Sequence, residues 1–207
     1  MQDQRTKTSF ITKVAILSSI AYILMLIEFP IPFMPPFLKI DFSEIPVLIS
    51  AFALGPLSGV VVELIKNLIH LFMTQSAGIG EMANFFVGVS YILPAGLIYK
   101  YIKNKKGAVI GVISGTLVMV GFASIFNYFV FLPLYASLFK LPMDAIIQLG
   151  NNVNKNVVDV KTLIAFGIVP FNLIKGIIVS LIVLLIYKPL SPILHKNLGY
   201  SSNTNKI

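Results

Sequence analysis

Long apolar runs alternate with short polar segments along this chain. A transmembrane helix needs about 20 consecutive, mostly apolar residues, and most of the runs approach or exceed that length. The second run is shorter but has the same apolar character. The predicted helices cover residues 10–29, 44–54, 57–73, 82–102, 108–139 and 163–187. We therefore predict an all-α integral membrane bundle of six transmembrane helices, formed by a single membrane domain over residues 1–207.

The segments between the runs predict turns and loops. Gly55-Pro56 separates the second run from the third, which indicates a tight turn between two adjacent helices. Four prolines between residues 30 and 36 predict an irregular first loop, because proline interrupts regular backbone hydrogen bonding. Residues 141–161 are interpreted as a long polar loop. The first run is too long for the apolar core of a signal peptide, so none is predicted.

Composition explains why a bilayer is needed. Hydrophobic residues make up 57% of the chain, charged residues 12%, and the mean hydropathy is +0.89. Soluble domains carry about 25% charged residues, so this chain lacks the polar groups to cover a water-facing surface. Cysteine is absent, which excludes disulfides, thiolate metal sites and a cysteine nucleophile.

Positive charge is distributed unevenly among the segments between the predicted helices. One side of a six-helix arrangement carries Arg5, Lys7, Lys13, Lys100, Lys103, Lys105, Lys106, Lys188, Lys196 and Lys206. The other side carries Lys39, Lys140, Lys155 and Lys161. Cytoplasmic loops are enriched in Lys and Arg, so both termini are predicted to be cytoplasmic and the first loop to face outside. The net charge of +8 then reflects topology, and nucleic-acid binding is not predicted.

The third predicted helix carries four polar residues on one face: Glu63, Lys66, Asn67 and His70. Ionisable groups inside a membrane are costly and usually face the bundle interior. Two interpretations stay open, a self-contained Glu63–Lys66 pair with Asn67 as an interhelical contact, or a face that contacts a ligand. His70 is accompanied only by His195 in the tail, so no metal site is predicted.

Polar residues of three further helices are predicted to converge beneath the external loops. They are Glu81 and Asn84, Asn127 and Tyr128, and Asn172 and Lys175. An amide presents a donor and an acceptor together, which suits the edge of a planar heterocycle, and Lys175 with Asp41 and Glu44 suits hydroxyls or an acidic group. Candidate stacking aromatics, each with core or lipid packing as its alternative, are Phe33, Phe37, Tyr91, Phe126 and Tyr128.

Motifs for catalysis are missing from the sequence. It contains no HExxH, GxSxG, Walker A or kinase-like pattern. An intramembrane enzyme with Glu63 or Asp41 as a base remains an alternative, but no nucleophile or metal is positioned for it. A stand-alone channel or secondary transporter is a further alternative that no motif supports. We therefore predict a binding protein and not an enzyme.

The segment Lys39-Ile40-Asp41-Phe42-Ser43-Glu44-Ile45-Pro46 resembles the riboflavin-specific substrate-binding subunits, or S components, of bacterial energy-coupling factor (ECF) transporters. Further blocks match in order between residues 13 and 187. They are Gly55-Pro56 with Gly59, Glu63-xx-Lys66-Asn67, Ala83-Asn84-Phe85, Asn127-Tyr128, Leu132-Pro133 and Pro170-Phe171-Asn172-xx-Lys175-Gly176. Each block is weak alone, but the ordered set is specific.

The resemblance implies a multi-pass protein of the bacterial cell membrane that captures riboflavin from outside, beneath the first loop. Riboflavin would be the transported ligand, with no cofactor and no metal, and another vitamin or a flavin analogue is the alternative. The implied contacts are Glu44, Asn84, Asn127, Asn172 and Lys175, to which the polar cluster adds Asp41 and Tyr128.

The resemblance also implies partners, namely an ECF transmembrane coupling subunit and two ABC-type ATPase subunits. The coupling subunit is expected to dock on the first helix through an Ala-xxx-Ala seam. Here the seam reads Ala15-xxx-Ser19, with Ser18 beside it. Serine is small enough to allow close helix approach. Gly111-xxx-Gly115 is a second close-packing candidate, expected inside the bundle.

Overall fold

The computed structural model describes residues 2–195. Within this range the chain forms seven helices and one short pair of strands, connected by turns and loops. Five of the helices have regular α-helical geometry over a single segment. They are α1 Gln2–Met25, α2 Glu44–Leu54, α3 Pro56–His70, α4 Ile79–Tyr101 and α6 Met143–Val153. A 3₁₀ turn, Leu71–Met73, extends α3. Helix α5 comprises Lys105–Phe126, a π-helical turn Asn127–Phe131 and Leu132–Leu138. Helix α7 comprises Val160–Leu163, a π-helical turn Ile164–Ile168 and Val169–His195.

Five helical segments are long and apolar enough to cross a membrane: Lys7–Met25, Pro56–Met73, Ile79–Tyr101, Lys105–Leu138 and Val160–Tyr187. The shorter apolar helix α2 has the predicted bounds. The all-α membrane fold is thus confirmed. The count of six spans and the cytoplasmic placement of both termini stay predictions, and the basic tail at Lys196 and Lys206 lies outside the described residues.

Helix α2 lies at the centre of the bundle. It packs against α1, α3, α4 and α7, and its residues are buried from Glu44 to Ala53. Gly55 alone separates α2 from α3, and its φ of 109° is a backbone conformation that favours glycine. Pro56 follows at the first position of α3, where a missing N–H costs nothing. The predicted tight turn is therefore confirmed, and the other helices enclose this short apolar segment.

The ends of three helices are set by capping and turn residues that lie outside the apolar runs. Asn104 accepts a hydrogen bond from the Gly107 N–H, so α5 begins three residues before its predicted start. Asp159 and Thr162 form a capping box at the start of α7. Gly78 adopts φ 87° before α4. These polar and glycine positions belong to helix termini, which hydropathy alone does not locate.

The two long loops predicted from the sequence contain regular structure. In the first loop, strands β1 Phe29–Pro30 and β2 Lys39–Ile40 pair antiparallel, and the segment between them is irregular as predicted. Residues 141–161, interpreted from the sequence as a long polar loop, contain helix α6, which the sequence analysis did not predict. Helix α6 is amphipathic, with Ile146 and Gly150 buried against neighbouring apolar residues while Asp144 is exposed.

Helices α4 and α5 approach each other through two glycines. A Cβ atom on Gly111 would lie 2.8 Å from the Ala95 carbonyl oxygen, and one on Gly115 would lie 2.4 Å from the Tyr91 carbonyl oxygen. Both positions therefore require glycine for the helices to remain in contact. The expectation that Gly111-xxx-Gly115 packs inside the bundle is confirmed.

Replacing Gly115 with alanine should destabilise the bundle, because the new methyl group forces α5 away from the α4 backbone. Overpacking of this kind costs about 1–3 kcal/mol. Thermal unfolding in detergent, followed by circular dichroism, should show a lower midpoint for G115A. The matched control is G121A in the same helix, where a Cβ meets nothing within 4 Å. Equal midpoints for the two variants would contradict this packing.

Candidate functional site

A fully buried lysine on α3 joins that helix to the start of α2. The Lys66 side chain is 0% exposed. Its Nζ donates to Ser43 Oγ at 2.7 Å and to Glu44 Oε1 at 2.9 Å, and it forms an ion pair with Glu63 Oε2 at 2.9 Å. Removing a charge from water costs several kcal/mol unless opposite charges and hydrogen bonds compensate. These three contacts provide that compensation.

A second buried lysine, on α7, contacts the same region from the other side. Lys175 Nζ lies 3.1 Å from Asp41 Oδ2 and 3.6 Å from Glu44 Oε1. Asp41 Oδ1 accepts a hydrogen bond from the Ser43 N–H at 2.8 Å. The contacts close a loop through Asp41, Ser43, Glu44, Lys66 and Lys175, which we call the ion ring. It joins the first loop, α2, α3 and α7, and it brings together the predicted site residues Asp41, Glu44 and Lys175.

The ion ring holds Asp41 in its ionised form. Asp41 lies outside the membrane-spanning segments, between β2 and α2. Burial alone would raise the pKa of its carboxyl group, but the charges of Lys175 and Lys66 and the hydrogen bonds from Ser43 lower the pKa to about 2. The ring therefore keeps a negative charge at the loop end of α7.

One acceptor in the ring is left without a hydrogen bond. Among the described residues, no donor reaches the buried Oε2 atom of Glu44. Buried polar atoms in folded proteins nearly always have a partner, so an exception calls for an explanation. A hydroxyl group of a bound solute would supply the missing donor.

Helices α3 and α4 are joined by successive polar contacts that start at the ring. Asn67 Nδ2 donates to Glu63 Oε1 at 2.9 Å and lies 3.4 Å from Asn84 Oδ1. Next to this contact, Gly88 makes room for Glu63, since a Cβ there would lie 2.6 Å from Glu63 Oε1. The Glu63–Lys66 pair and the interhelical Asn67 contact are both present, but the pair is not self-contained, because Lys66 also bonds Ser43 and Glu44. Asn84 is linked to the ring through these contacts.

Glu81 stabilises the turn between α3 and α4 through hydrogen bonds to its carboxylate. Its carboxylate lies 2.8 Å from His70 Nδ1 and accepts hydrogen bonds from Thr74 Oγ1 at 2.8 Å and Ser76 Oγ at 3.0 Å. Sequence reasoning grouped Glu81 with the pocket residues, but these partners are residues of the turn itself. The structure gives His70 the same structural role. Among the described residues, no group of three or more His, Asp or Glu side chains is placed to hold a metal ion.

Two of the three helices that carry the candidate asparagines contain a π-helical turn, namely α5 with Asn127 and α7 with Asn172. The Leu132 N–H donates to the Asn127 carbonyl and the Val169 N–H donates to the Ile164 carbonyl. Each of these donors directly precedes a proline, Pro133 or Pro170, whose ring would clash with the carbonyl four residues earlier in a regular α-helix. The wider turn relieves that clash. The two π turns lie against each other, and such turns are frequent at functional sites.

The side-chain amides of Asn127 and Asn172 are oriented by their own helices. Asn127 Nδ2 donates to the Ala123 carbonyl and Asn172 Nδ2 donates to the Ile168 carbonyl, both at 2.8 Å. An amide has two N–H groups and an oxygen, so this bond leaves other polar atoms of each amide for a ligand. Both asparagines thus stand as fixed donor–acceptor groups beside the π turns.

An apolar cluster connects the first loop to these helices. Ala123, Ile164 and Ile168 form its buried part, and Tyr128 packs against it with Phe37 and Leu38 of the loop and Val87 of α4. Asn84, Asn127 and Asn172 each lie within about one helical turn of a member of this cluster. The cluster therefore brings the predicted polar residues of three helices to one end of the bundle.

Not every predicted aromatic is available for stacking. Tyr91 is buried in the main core, and its hydroxyl lies 2.8 Å from Ser180 Oγ. Phe33 is 86% exposed in the first loop. Phe126 stacks on Phe122 with ring centroids 3.9 Å apart. Of the five candidate aromatics, Phe37 and Tyr128 pack in the apolar cluster beside the polar residues.

Two surface cavities lie away from the predicted residues. One, of about 380 Å³, is an apolar groove between α4 and α5, and the other, of about 400 Å³, lies beside α6 and is lined in part by Asp144 and Asn151. Neither is lined by a predicted ligand-binding residue. The candidate site is therefore defined by its polar side chains and not by either cavity.

The small residues of α1 face in two directions. Ala15 and Ser19 are exposed. Ser18 is 2% exposed, and its hydroxyl donates to the Val14 carbonyl at 2.8 Å. An exposed docking seam on this helix can therefore use Ala15 and Ser19, whereas the side chain of Ser18 faces the bundle.

The fold and the site together define a multi-pass membrane protein with a buried polar site at one end of a helical bundle. A family model described as "ECF transporter, substrate-specific component" matches residues 9–187. The chain belongs to this family of substrate-specific components of ECF transporters. It is a bacterial membrane protein and a transporter component, not an enzyme, as the sequence predicted.

Individual relatives agree with the family. The riboflavin transporter RibU of Staphylococcus aureus is 41% identical over 183 residues, covering 88% of this chain and 90% of the relative. The riboflavin transporter FmnP of Bacillus subtilis is 38% identical over 189 residues, covering 90% of this chain and 94% of the relative. A solved structure described as the S component of a bacterial ECF transporter superposes with a TM-score of 0.73 at 37% identity, covering 95% of this chain and all of that one.

The sequence analysis predicted the Lys66–Glu63 pair but missed the contacts of Lys66 with Ser43 and Glu44. A signal was present, because a lysine within a membrane helix requires carboxylates from neighbouring elements. The sequence contains few acids that could serve, and two of them, Asp41 and Glu44, flank Ser43. Helix pairing, which the sequence does not display, was needed to connect them.

Acid titration should reveal the buried charge of Asp41. Because its folded-state pKa is about 2, below the ordinary 3.8, the ionised form stabilises the fold above pH 3.8 and that stabilisation is lost as the pH falls toward 2. The linked contribution is about 2 kcal/mol. Thermal midpoints in detergent between pH 6 and pH 2 should therefore fall more steeply for the wild type than for D41N. The exposed-site variant D144N should keep the wild-type slope, and parallel curves for wild type and D41N would contradict this assignment.

Proposed function

We propose that this chain captures riboflavin from outside the cell and holds it beneath the first loop for uptake by an ECF transporter. The observation that carries the proposal is the unpartnered, buried Glu44 Oε2 beside the Lys175 ammonium. A charged donor and a free acceptor at the same point suit a neutral, polyhydroxylated heterocycle. Family membership and the relatives named riboflavin transporters support the same ligand.

The chemistry of riboflavin fits the fixed groups. The edge of its ring system alternates N–H and carbonyl groups, which complements the amides of Asn127 and Asn172. Asn172 and Lys175 are three residues apart on α7 and so face the same side of the helix. Tyr128 supplies an aromatic surface beside them. We assign the ring system to these α5 and α7 residues.

The sugar-alcohol chain of riboflavin is assigned to the loop end of the ion ring. Asp41 and Glu44 are acceptors for its hydroxyls, and Asn84 offers an amide from α4. Lys175 has three donor hydrogens, and its ammonium contacts two carboxylates, one at 3.1 Å and the other at 3.6 Å. The ammonium therefore keeps the capacity to donate to a ligand oxygen.

Purified protein should bind riboflavin with nanomolar-range affinity, measured by quenching of flavin fluorescence in detergent. N172A and K175A should each weaken binding by about tenfold or more, since losing a hydrogen bond to a buried or charged group costs about 1–3 kcal/mol. The matched controls are N156A and K155A, which change an exposed Asn and Lys of the segment between α6 and α7.

Two outcomes would contradict different parts of this proposal. If the wild type neither carries nor binds flavin, riboflavin is not the ligand, and competition with thiamine, biotin and flavin analogues would then identify a different vitamin. If N172A and K175A bind like the wild type, the placement of the ligand is wrong although the function stands.

We further propose that an ECF transmembrane coupling subunit, itself bound to two ABC-type ATPases, docks on α1 at Ala15 and Ser19. Both residues are exposed and one helical turn apart, so a partner helix can approach closely there. Neighbouring large residues on this helix, such as Ile16 and Ile23, are also exposed. The seam therefore offers a small-residue contact within an apolar surface.

Larger side chains at Ala15 and Ser19 should abolish riboflavin uptake without weakening riboflavin binding. The double variant A15L/S19L should bind riboflavin like the wild type but lose ATPase-dependent riboflavin uptake in cells, because the added side chains prevent close helix contact. G121L is a matched small-to-large change at an exposed position of α5 and should leave uptake intact. Normal uptake by A15L/S19L would place the docking surface elsewhere.

A further inference from the structure

Lys66 lies on a helix that supplies none of the proposed ligand contacts. Those contacts come from the first loop and α2 and from α4, α5 and α7, whereas Lys66 is on α3 and is 0% exposed. Two of its three close partners, Ser43 and Glu44, belong to the junction between the first loop and α2. The side chain therefore acts on the part of the site that faces Lys175.

The influence of Lys66 extends to both acids that contact Lys175. It bonds Glu44 directly, and it bonds the Ser43 hydroxyl while the Ser43 N–H donates to Asp41. Ser43 is itself fully buried. Fixing Ser43 thus fixes the backbone donor that orients the Asp41 carboxylate.

The distances show which lysine holds Glu44. The same atom, Glu44 Oε1, lies 2.9 Å from Lys66 Nζ and 3.6 Å from Lys175 Nζ. Attraction between charges grows as their separation falls, so Glu44 is held mainly by Lys66. Within residues 2–195, Lys175 is the cation that would remain in contact with Glu44 if Lys66 were removed. Closure of the 3.6 Å gap would then occupy a donor of the Lys175 ammonium.

We infer that Lys66 is a positioning residue for solute binding: it holds Glu44, and through Ser43 also Asp41, so that Lys175 keeps a donor for the ligand. The part that concerns the ligand rests on the proposed function. The part that concerns the loop does not, because the contacts that carry it are contacts within the protein.

A single replacement of Lys66 would leave several buried acids uncompensated and could prevent folding. The test therefore uses the double variant E63Q/K66M, which removes one acid and one base from the cluster. The matched control is E63Q, which keeps the bonds from Lys66 to Ser43 and Glu44. The double variant should have a lower thermal midpoint in detergent than E63Q, because Glu44 loses its nearest cation. Binding and labelling are therefore measured at a temperature at which circular dichroism shows both variants to be folded.

Riboflavin affinity is the first measurement. E63Q/K66M should bind riboflavin about tenfold more weakly than E63Q, or worse, as expected when a charged hydrogen bond to the ligand is lost. If Lys66 served only to neutralise Glu63, the double variant would bind like E63Q. That result would overturn the inference.

Loop position is the second measurement and needs no ligand. The chain has no cysteine, so the variant I40C carries one thiol. Ile40 is adjacent to Asp41 and only 2% exposed, and the labelling rate of this thiol therefore reports how often the loop opens. A thiol reagent should label I40C slowly in the wild-type and E63Q backgrounds and about tenfold faster in E63Q/K66M, because the loop has lost its anchor to α3. Equal labelling rates in the E63Q and E63Q/K66M backgrounds would overturn the inference.

The two measurements separate this inference from the proposed function. If the wild type binds no riboflavin, the proposed function fails, while the labelling rates still decide whether Lys66 positions the loop. If the wild type binds riboflavin but E63Q/K66M matches E63Q in affinity, the function stands and the positioning role is rejected.

Discussion

Two buried ammonium groups govern the arrangement of this bundle. Lys66 and Lys175 approach each other from α3 and α7, and each needs carboxylates within contact distance because a buried charge without a partner costs several kcal/mol. Glu44 meets both of them, and it is the first residue of α2. The shortest apolar helix is therefore held at the centre of the bundle by its first residue, and the loop before it is fixed by Asp41.

The two ends of α2 are stabilised by different interactions, aromatic packing at its last turn and ion pairs at its first residue. Its last turn carries Phe52, which stacks on Tyr99 and meets Tyr187 edge-on in an apolar contact. Its first turn meets charges, and the nearby helices contain π-helical turns. Irregular backbone at membrane depth is tolerated only where protein covers it, and Phe37 with Leu38 of the first loop packs over the turn in α7. Aromatic packing thus holds one end of α2, while charged contacts hold the end that lies near the π turns of α5 and α7.

Hydropathy located the membrane helices because a bilayer imposes both length and apolar character, and it gave the bounds of α2 correctly. It did not locate α6, where the buried residues Ile146 and Gly150 follow helical spacing within a short segment of mixed polar and apolar residues. The π turns were out of reach for a different reason, since the same residues can form α or π geometry and the prolines act through a carbonyl four residues away. Glu81 was assigned to the pocket from its position on α4, but Thr74 and Ser76 in the adjoining turn use its carboxylate.

The ion ring also bears on how a neutral solute can be accommodated. A ligand that took Lys175 away from both acids would leave Asp41 and Glu44 buried with less compensation. Lys66 limits that cost, because Glu44 keeps a bond at 2.9 Å and Asp41 keeps the Ser43 N–H whatever Lys175 does. Groups held in place before binding lose little freedom when the ligand arrives. A lysine that contacts no ligand can therefore set the affinity of a site whose ligand-facing lysine lies on another helix.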